Sequence, residues 1–266
     1  MTIPPILTAK DAYAPSVFRP ENLLREARRQ RGRPDAPVPA LCLLDPDGDL
    51  VAALRRDGRA APVPGWACYH TEMWSFPLAG RHVGIVGCAV GAPFAVQVAE
   101  QMVASGARGI ISLTSAGRIA DNLPDGAHFM LINRALRDEG TSYHYLPAEE
   151  PFVAASADLL EPAARALRDA GIVAHTGPSW TTDAPYRETE TAINHARAMG
   201  ARVVEMEAAA LYAFARARGA SVLCLAHVTN AMAQIEGDFE KGEADGAAEA
   251  LRLLALTAQA WRRSKN

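Results

Sequence analysis

The sequence predicts an α/β protein in which helices cover both faces of a central sheet. Predicted strands alternate with predicted helices along most of the chain, and this alternation is typical of such sandwiches. The clearest unit is a strand from His82 to Val86, a glycine turn, a helix from Pro93 to Ser105 and a strand from Gly109 to Thr114. A β-turn-α-β unit of this kind favours parallel pairing of its two strands.

The remaining elements continue this order. Residues 1–37 are predicted to form an irregular arm with one helix that begins at Pro20, and the next strand, Val38 to Leu44, ends in the turn sequence Asp45 to Asp49. The whole chain, 1–266, is predicted to be a single domain. The other predicted strands are Phe129 to Asn133, Gly171 to His175, Val203 to Glu205 and Val222 to Ala226, and the other predicted helices are Ala154 to Ala170, Glu188 to Met199, Met206 to Arg218 and Gly242 to Arg262.

Composition and charge exclude several classes of function. The 266 residues are 49% hydrophobic and 21% charged, which suits an ordinary globular core, and the net charge of -3 argues against nucleic acid as the main partner. The four cysteines form no C-x-x-C pair and the seven histidines have no metal-ligand spacing, so we expect neither disulfides nor a metal site. The N-terminal sequence lacks the apolar core of a signal peptide, and we expect a cytoplasmic protein without a membrane segment.

The strongest candidate for a ligand site is the junction after the strand at Val203. This strand ends in Glu205-Met206-Glu207, and a helix of small residues begins at once. Ligands in α/β folds gather where strands end and helices begin, and a carboxylate there can accept hydrogen bonds from both hydroxyls of a cis-diol such as that of ribose. The alternative is that Glu207 is an acid in the first helical turn, stabilised by the helix dipole.

A second junction follows the strand that begins at Gly109. This strand delivers Thr114, Ser115 and Gly117, whose hydroxyl and backbone N–H groups suit an oxyanion or a sugar oxygen. The alternative is ordinary turn chemistry, for which Ser-Ala-Gly is also common.

A third cluster, residues 181–188, places an aromatic side chain beside an arginine. Tyr186 and Arg187 together can stack on a flat ring or hold an anion. The alternative concerns the acids of the same segment, because Asp183 and Glu188 are suitable caps for the next helix.

Together these segments resemble the purine/uridine phosphorylase family over roughly residues 80–260. The specific segments are Glu205-Met206-Glu207-Ala208-Ala209-Ala210-Leu211, Arg137-Asp138-Glu139-Gly140-Thr141-Ser142-Tyr143-His144-Tyr145, Thr114-Ser115-Ala116-Gly117, Asp183-Ala184-Pro185-Tyr186 and His227-Val228-Thr229-Asn230. The last of these, followed by Gln234-Ile235-Glu236, looks more like the uridine branch than the bacterial purine branch.

The resemblance implies both a fold and a reaction. The family fold is a three-layer αβα sandwich around a mixed, twisted central sheet, in homo-oligomers that are dimers or hexamers. The reaction is phosphorolysis of a nucleoside to a free base and ribose 1-phosphate. It needs no cofactor, with inorganic phosphate as co-substrate. The implied partners are therefore a nucleoside and phosphate.

The resemblance also assigns roles to ten residues. Glu207 is expected to bind the ribose hydroxyls and Met206 to pack under the sugar, while Ser115 faces both phosphate and sugar. Asn230 is expected near the base. For His227, at the end of a predicted strand, a structural role is the alternative. The expected catalytic residues are Glu207, Asn230 and Arg187, and the expected substrate-binding residues are Thr114, Ser115, Gly117, Tyr186, Glu205, Met206 and His227.

Four departures from the family pattern leave alternatives open. Ser112 stands where the phosphorylases commonly have an arginine that binds phosphate, and the segment 45–49 replaces their Gly-Asp-Pro-x-Arg phosphate loop with three acids. The glutamine and arginine that bind uracil in the uridine phosphorylases have no counterpart after Tyr186. Asn230 stands where the bacterial purine enzymes have the acid that protonates the leaving base. A hydrolytic nucleosidase and a non-catalytic nucleoside-binding protein therefore remain alternatives to a phosphorylase.

Overall fold

The computed structural model describes residues 4–8, 10–123, 128–232, 236–239, 241 and 246–264. Within these ranges the helices are α1 Pro20–Arg31, α2 Asp49–Arg56, α3 Ala92–Ala104, α4 Ala157–Asp169, α5 Glu190–Ala198, α6 Ala208–Arg218 and α7 Ala247–Ser264. The strands are β1 Leu41–Asp45, β2 Ala61–Pro62, β3 Trp74–Leu78, β4 Arg81–Gly87, β5 Gly109–Arg118, β6 His128–Asp138, β7 Phe152–Ala154, β8 Ala174–Thr182, β9 Val203–Glu205 and β10 Val222–Asn230.

These strands form one mixed sheet in the order β10-β6-β8-β9-β5-β1-β4-β3-β2, with β7 beside β6. Strand β10 also pairs with β5, so that the five strands from β5 to β10 through β9, β8 and β6 close on themselves. Strands β4, β1, β5 and β10 are mutually parallel. Because parallel strands end at the same edge, the chain segments that follow these four strands meet there.

Helices cover the sheet from both sides, as the sequence predicts. Helices α3 and α6 pack together on one face, and α4 and α7 pack together on the other with α2. The prediction of an αβα sandwich with a mixed sheet is confirmed. No helix in the described ranges is both long and apolar enough to span a membrane.

Several element boundaries differ from the sequence prediction. The predicted strand Gly171 to His175 is wrong in its start, because Gly171 has φ +67° and ends the turn after α4, and the strand begins at Ala174. Helix α4 begins at Ala157, since residues 152–154 pair with β6 as strand β7. Helix α2, directly after the predicted turn, was not predicted. Residues 242–245 of the predicted last helix lie outside the described residues.

Candidate active site

Glu207 lies at the centre of the edge where the four parallel strands end. The residue is 1% exposed and stands directly before α6. One carboxylate oxygen, Oε1, accepts a hydrogen bond from the backbone N–H of Gly91 at 2.7 Å, in the turn between β4 and α3. The other, Oε2, accepts from the Thr114 hydroxyl on β5 at 2.9 Å. Burial, and then the charge of Glu205, raise the pKa of Glu207.

Glu205 makes a different set of contacts. Its Oε2 accepts the backbone N–H groups of Glu207 and Ala208, both at 2.7 Å, at the start of α6. Its Oε1 accepts the hydroxyls of Ser179, at 2.9 Å, and Thr181. A carboxylate has about four acceptor positions, so protein donors fill this group. Glu205 therefore fixes the start of α6 and, through it, the position of Glu207.

A second group of polar side chains surrounds Ser115, the neighbour of Thr114 on β5. Its hydroxyl donates to Asp47 Oδ2, in the turn that joins β1 to α2. The same oxygen lies 3.0 Å from the Lys241 ammonium, which also donates to Asp49. The Lys241 side chain is 16% exposed and the Asp47 side chain 29%. This acid–lysine cluster of Asp47, Asp49 and Lys241 therefore lies beside the hydroxyl that was expected to face phosphate.

The two groups meet β5 at neighbouring residues, because Thr114 contacts Glu207 and Ser115 contacts Asp47. Burial and the charge of Glu205 are the main causes that raise the pKa of Glu207, and the charge of Asp47 adds to them. Asp45, at the end of β1, is 3% exposed and accepts the backbone N–H of Val51 at 2.9 Å. Burial raises its pKa to about 7. This acid holds the first turn of α2 and so supports the turn that carries Asp47.

The end of β10 brings two further side chains, His227 and Asn230, next to β5. His227 lies opposite Ser115 in the parallel pair and stacks on Phe129, with ring centroids 4.6 Å apart. Burial, and then the charge of Lys241, lower the pKa of His227, which favours the neutral imidazole. Asn230 lies opposite Gly117, where a Cβ atom would stand 3.2 Å from Asn230 Oδ1. A glycine at 117 is therefore what allows the amide to approach β5 closely.

The structure brings most of the expected site residues to this edge. Eight of the ten lie there: Thr114, Ser115, Gly117, Glu205, Met206, Glu207, His227 and Asn230. The other two lie on a short 3-10 helix after β8, where Tyr186 is 98% exposed and Arg187 is also exposed. No contact in the described part of the chain joins either of them to Glu207, Ser115 or Asn230.

Sequence reasoning missed three participants. Asp47 was noted only as an obstacle to phosphate, although its position directly after a predicted strand was a usable signal. Gly91, in the glycine turn before α3, is the backbone donor to Glu207. Lys241 is one of only three lysines in the chain, but its contact with Asp47 joins residues 194 positions apart, and no local pattern indicates it.

Comparisons with known proteins identify one sequence relative and two solved structures of similar fold. The chain is 26% identical over 168 residues to the guanosine phosphorylase of Halorubrum lacusprofundi, which covers 63% of this chain and 66% of that protein. The uridine phosphorylase of Vibrio fischeri ES114 matches with a TM-score of 0.70 and 20% identity over 83% of this chain and 90% of that one. The AMP nucleosidase of Bacteroides thetaiotaomicron VPI-5482 matches with a TM-score of 0.71 and 22% identity over 92% and 99%.

The two structural matches establish the fold, and both a phosphorylase and a nucleosidase share it. The sequence model of the phosphorylase superfamily matches residues 41–260, a range that contains every element from β1 to β10, most of α7 and all ten expected site residues. This match confirms the resemblance that the motifs around Glu207 and Ser115 indicate. The chain belongs to the phosphorylase superfamily.

Proposed function

We propose that the protein cleaves the N-glycosidic bond of a nucleoside with water as the acceptor, which releases a free base and a free sugar. The observation that carries this proposal is the hydrogen bond between the Ser115 hydroxyl and the Asp47 carboxylate. Under this proposal Asp47 is an accessible base beside the position where the acceptor meets the sugar. Glu207 supplies the carboxylate for the sugar hydroxyls, with one donor from the protein on each of its oxygens.

The chemistry follows from these positions. As the bond between C1′ and the base nitrogen breaks, its electron pair leaves with the base, and the sugar takes on oxocarbenium character. The buried carboxyl group of Glu207 orients the sugar, and its ionised form stabilises that cation. Water forms the new bond to C1′ and gives one proton to Asp47, which acts as general base. The Asn230 amide is a hydrogen-bond donor for the departing base, which takes its proton from solvent.

The charges at Ser115 disfavour phosphate as the acceptor. A phosphate dianion there would meet Asp47 and Asp49, and Lys241 is already paired with both. Ser112, which stands at the position of the family arginine, is buried within β5 and carries no charge. A neutral water molecule meets no such repulsion. The nucleosidase among the structural matches supports the view that this fold accommodates hydrolysis.

Phosphorolysis is the second candidate, and two observations favour it. The guanosine phosphorylase relative carries out that reaction by name. The Lys241 ammonium, which shares Asp47 Oδ2 with the Ser115 hydroxyl, is a cation that inorganic phosphate would pair with if the aspartates released it. On this second reading Lys241 and Ser115 hold the phosphate, and the sugar product is ribose 1-phosphate.

One experiment distinguishes the two reactions. Purified protein is incubated with purine and pyrimidine nucleosides and with nucleoside 5′-monophosphates, with and without inorganic phosphate. Base release is followed by chromatography and the sugar product by 31P NMR and a reducing-sugar assay. We expect free sugar at a rate that is independent of phosphate. Strictly phosphate-dependent release with ribose 1-phosphate would overturn the proposal in favour of phosphorolysis.

The Asp47→Asn variant tests the base directly. Asparagine keeps the size and the hydrogen bond to Ser115 but accepts no proton, so we expect hydrolysis to fall by about 100-fold or more. Asp57→Asn, an exposed acid just after α2, is the matched control and should retain the wild-type rate. If Asp47→Asn hydrolyses nucleosides as fast as this control, Asp47 is not the base.

A further inference from the structure

The turn that follows β10 holds the Asn230 side chain in one orientation. Asn230 Oδ1 accepts a hydrogen bond from the backbone N–H of Met232 at 2.9 Å. Because a backbone N–H can only donate, the oxygen of this amide must lie on that side and its NH2 group on the other. The NH2 group donates one hydrogen to the Thr229 hydroxyl at 3.2 Å. No acceptor among the described residues engages its second hydrogen, which is therefore available to a ligand.

The strand pairing places this amide about 7 Å beyond Ser115. Between Val228 and Asn230 the parallel pairing of β10 with β5 shifts its register, so that Asn230 lies opposite Gly117. Irregularities of this kind redirect side chains next to active sites. Gly117 lies two residues beyond Ser115, which is about 7 Å along a strand. With the sugar at Ser115 and Glu207, the free N–H of the amide is on the side of the departing base.

Two contacts hold the backbone of this turn. Met232 has φ +74°, a left-handed conformation that is unfavourable for a residue with a long side chain and persists only where its surroundings hold it. The first contact is that of the Met232 thioether with Gly117, where a Cβ atom would stand 3.1 Å away. The second is that of Asp238, whose two carboxylate oxygens accept the backbone N–H of Ala231 at 2.9 and 3.1 Å. The N–H groups of two successive residues are therefore both bound to side-chain oxygens.

We propose that Asp238 is a positioning residue, which holds the turn after β10 so that Asn230 presents an N–H to the departing base. The inference rests on the proposed cleavage of a nucleoside. Asp238 is partly buried and lies seven positions beyond Ala231. Without its carboxylate the Ala231 N–H loses its partner, the left-handed Met232 relaxes, and the amide turns away. The base then lacks a hydrogen bond to the atom, a ring nitrogen or a carbonyl oxygen, on which negative charge develops.

Two substrates that differ in their leaving group test this inference. The leaving group of 4-nitrophenyl β-D-riboside is a stable phenolate, which needs little help from a hydrogen-bond donor, whereas a nucleobase needs that help. In Asp238→Ala we expect kcat/KM to fall about tenfold or more for the fastest of adenosine, guanosine, inosine, uridine and cytidine, but less than about twofold for the nitrophenyl riboside. Circular dichroism checks the fold. A role in the fold alone would lower both substrates together, and that result would overturn the inference.

Three further variants identify the residue through which Asp238 acts. Asp238→Asn retains an oxygen for the Ala231 N–H and should stay within about threefold of wild type on both substrates. Asn230→Ala should show the same dependence on the leaving group as Asp238→Ala, and the double variant should lie within about twofold of Asn230→Ala. Asp57→Ala makes the same substitution at an exposed acid and should retain the wild-type rates. Losses that add in the double variant would show that Asp238 does not act through Asn230.

An NMR measurement needs no turnover and separates this inference from the proposed function. The chain has six asparagines, so protein labelled with 15N-asparagine gives few side-chain amide signals, and those of Asn230 are the ones lost in Asn230→Ala. We expect an ordered Asn230 amide in wild type and in Asp238→Asn, and a lower order parameter in Asp238→Ala.

This NMR result supports the inference even if the wild type cleaves no nucleoside, an outcome that would refute the proposed function alone. It also decides the question if the wild type does not accept the nitrophenyl riboside. An Asn230 amide that is equally ordered in Asp238→Ala overturns the inference, and cleavage of nucleosides by the wild type then leaves the proposed function standing.

Discussion

Replacement of Glu207 by glutamine tests the sugar site with the least disturbance of its surroundings. The Gly91 N–H can only donate, so the remaining carbonyl oxygen must stay on that side, 2.7 Å away in the native structure. The new NH2 group then faces the Thr114 hydroxyl, which can rotate and accept. The variant keeps both protein contacts and loses only the negative charge and one acceptor for a sugar hydroxyl.

The size of the effect follows from the number of acceptors lost. A hydrogen bond to a charged group contributes about 1.5–3 kcal/mol, and each 1.36 kcal/mol changes a rate tenfold. Glu207→Gln removes one such acceptor for the sugar and should lower kcat/KM by about 10- to 100-fold. Glu207→Ala removes both and should lower it by about 100- to 10 000-fold. The conservative variant is therefore expected to lie between wild type and alanine.

The assay is nucleoside cleavage measured as kcat/KM, with circular dichroism and thermal unfolding as checks of the fold. Thr114→Val, made alone and together with Glu207→Gln, completes a double-mutant cycle. Both side chains form one hydrogen-bonded unit. The effect of the double variant should therefore differ from the sum of the two single effects by more than about 0.5 kcal/mol. A folded Glu207→Gln protein with wild-type kcat/KM would refute the placement of the sugar at Glu207.

Two further predictions concern stability. Burial raises the pKa of Asp45 from 3.8 to about 7, so this acid is ionised more readily in the unfolded chain, and the stability that its neutral form contributes is lost as the pH rises from about 4 to 7. In urea titrations, the unfolding free energy of Asp45→Asn relative to wild type should therefore increase by about 3 kcal/mol between pH 5 and pH 8. Asp57→Asn should follow wild type over the same range. A difference between Asp45→Asn and wild type that does not change with pH would contradict this prediction. Tyr212→Phe removes a buried hydroxyl that donates to the Ile132 carbonyl at 2.6 Å and accepts the Cys224 N–H at 3.0 Å. This substitution should lower the free energy of unfolding by about 2–4 kcal/mol in the same assay. Tyr13 is 85% exposed, and Tyr13→Phe should lower it by less than about 0.5 kcal/mol. Equal losses in the two variants would contradict the role of the buried hydroxyl.

Local sequence patterns predict the parts of this fold that depend on local chemistry. The sequence predicts the unit from β4 through α3 to β5, and it predicts that α6 begins directly after Glu207. Both predictions succeed because apolar strands, glycine turns and helix starts have short sequence signatures. Closure of five strands through the double pairing of β10 is not readable, since it depends on contacts between distant segments. Helix α2 was missed because its eight residues follow an acidic turn that reads as a loop.

The pair of carboxylates at the start of α6 illustrates the same limit within the site. Spacing alone does not show whether Glu205 or Glu207 binds a ligand, since both stand in a segment whose pattern predicts burial. Only the donors distinguish them: four protein donors fill Glu205, whereas Glu207 receives two. Those donors come from four separate elements, and a sequence contains no record of which elements will meet.

The two halves of the site differ in how far they follow the family pattern. The half proposed to bind the sugar, at the junction of β9 and α6, retains the family motif and presents one buried carboxylate, Glu207, with open acceptor capacity. The half proposed to bind the acceptor, at the turn between β1 and α2, carries Asp47 and Asp49 against one lysine, Lys241. That balance is unfavourable for a phosphate dianion and neutral towards water. Under the proposed function we therefore expect the charges of this turn, rather than the sugar site, to decide which molecule attacks C1′. Substitutions that change the acceptor are therefore expected at Asp47 and Lys241, whereas substitutions that abolish cleavage by any acceptor are expected at Glu207.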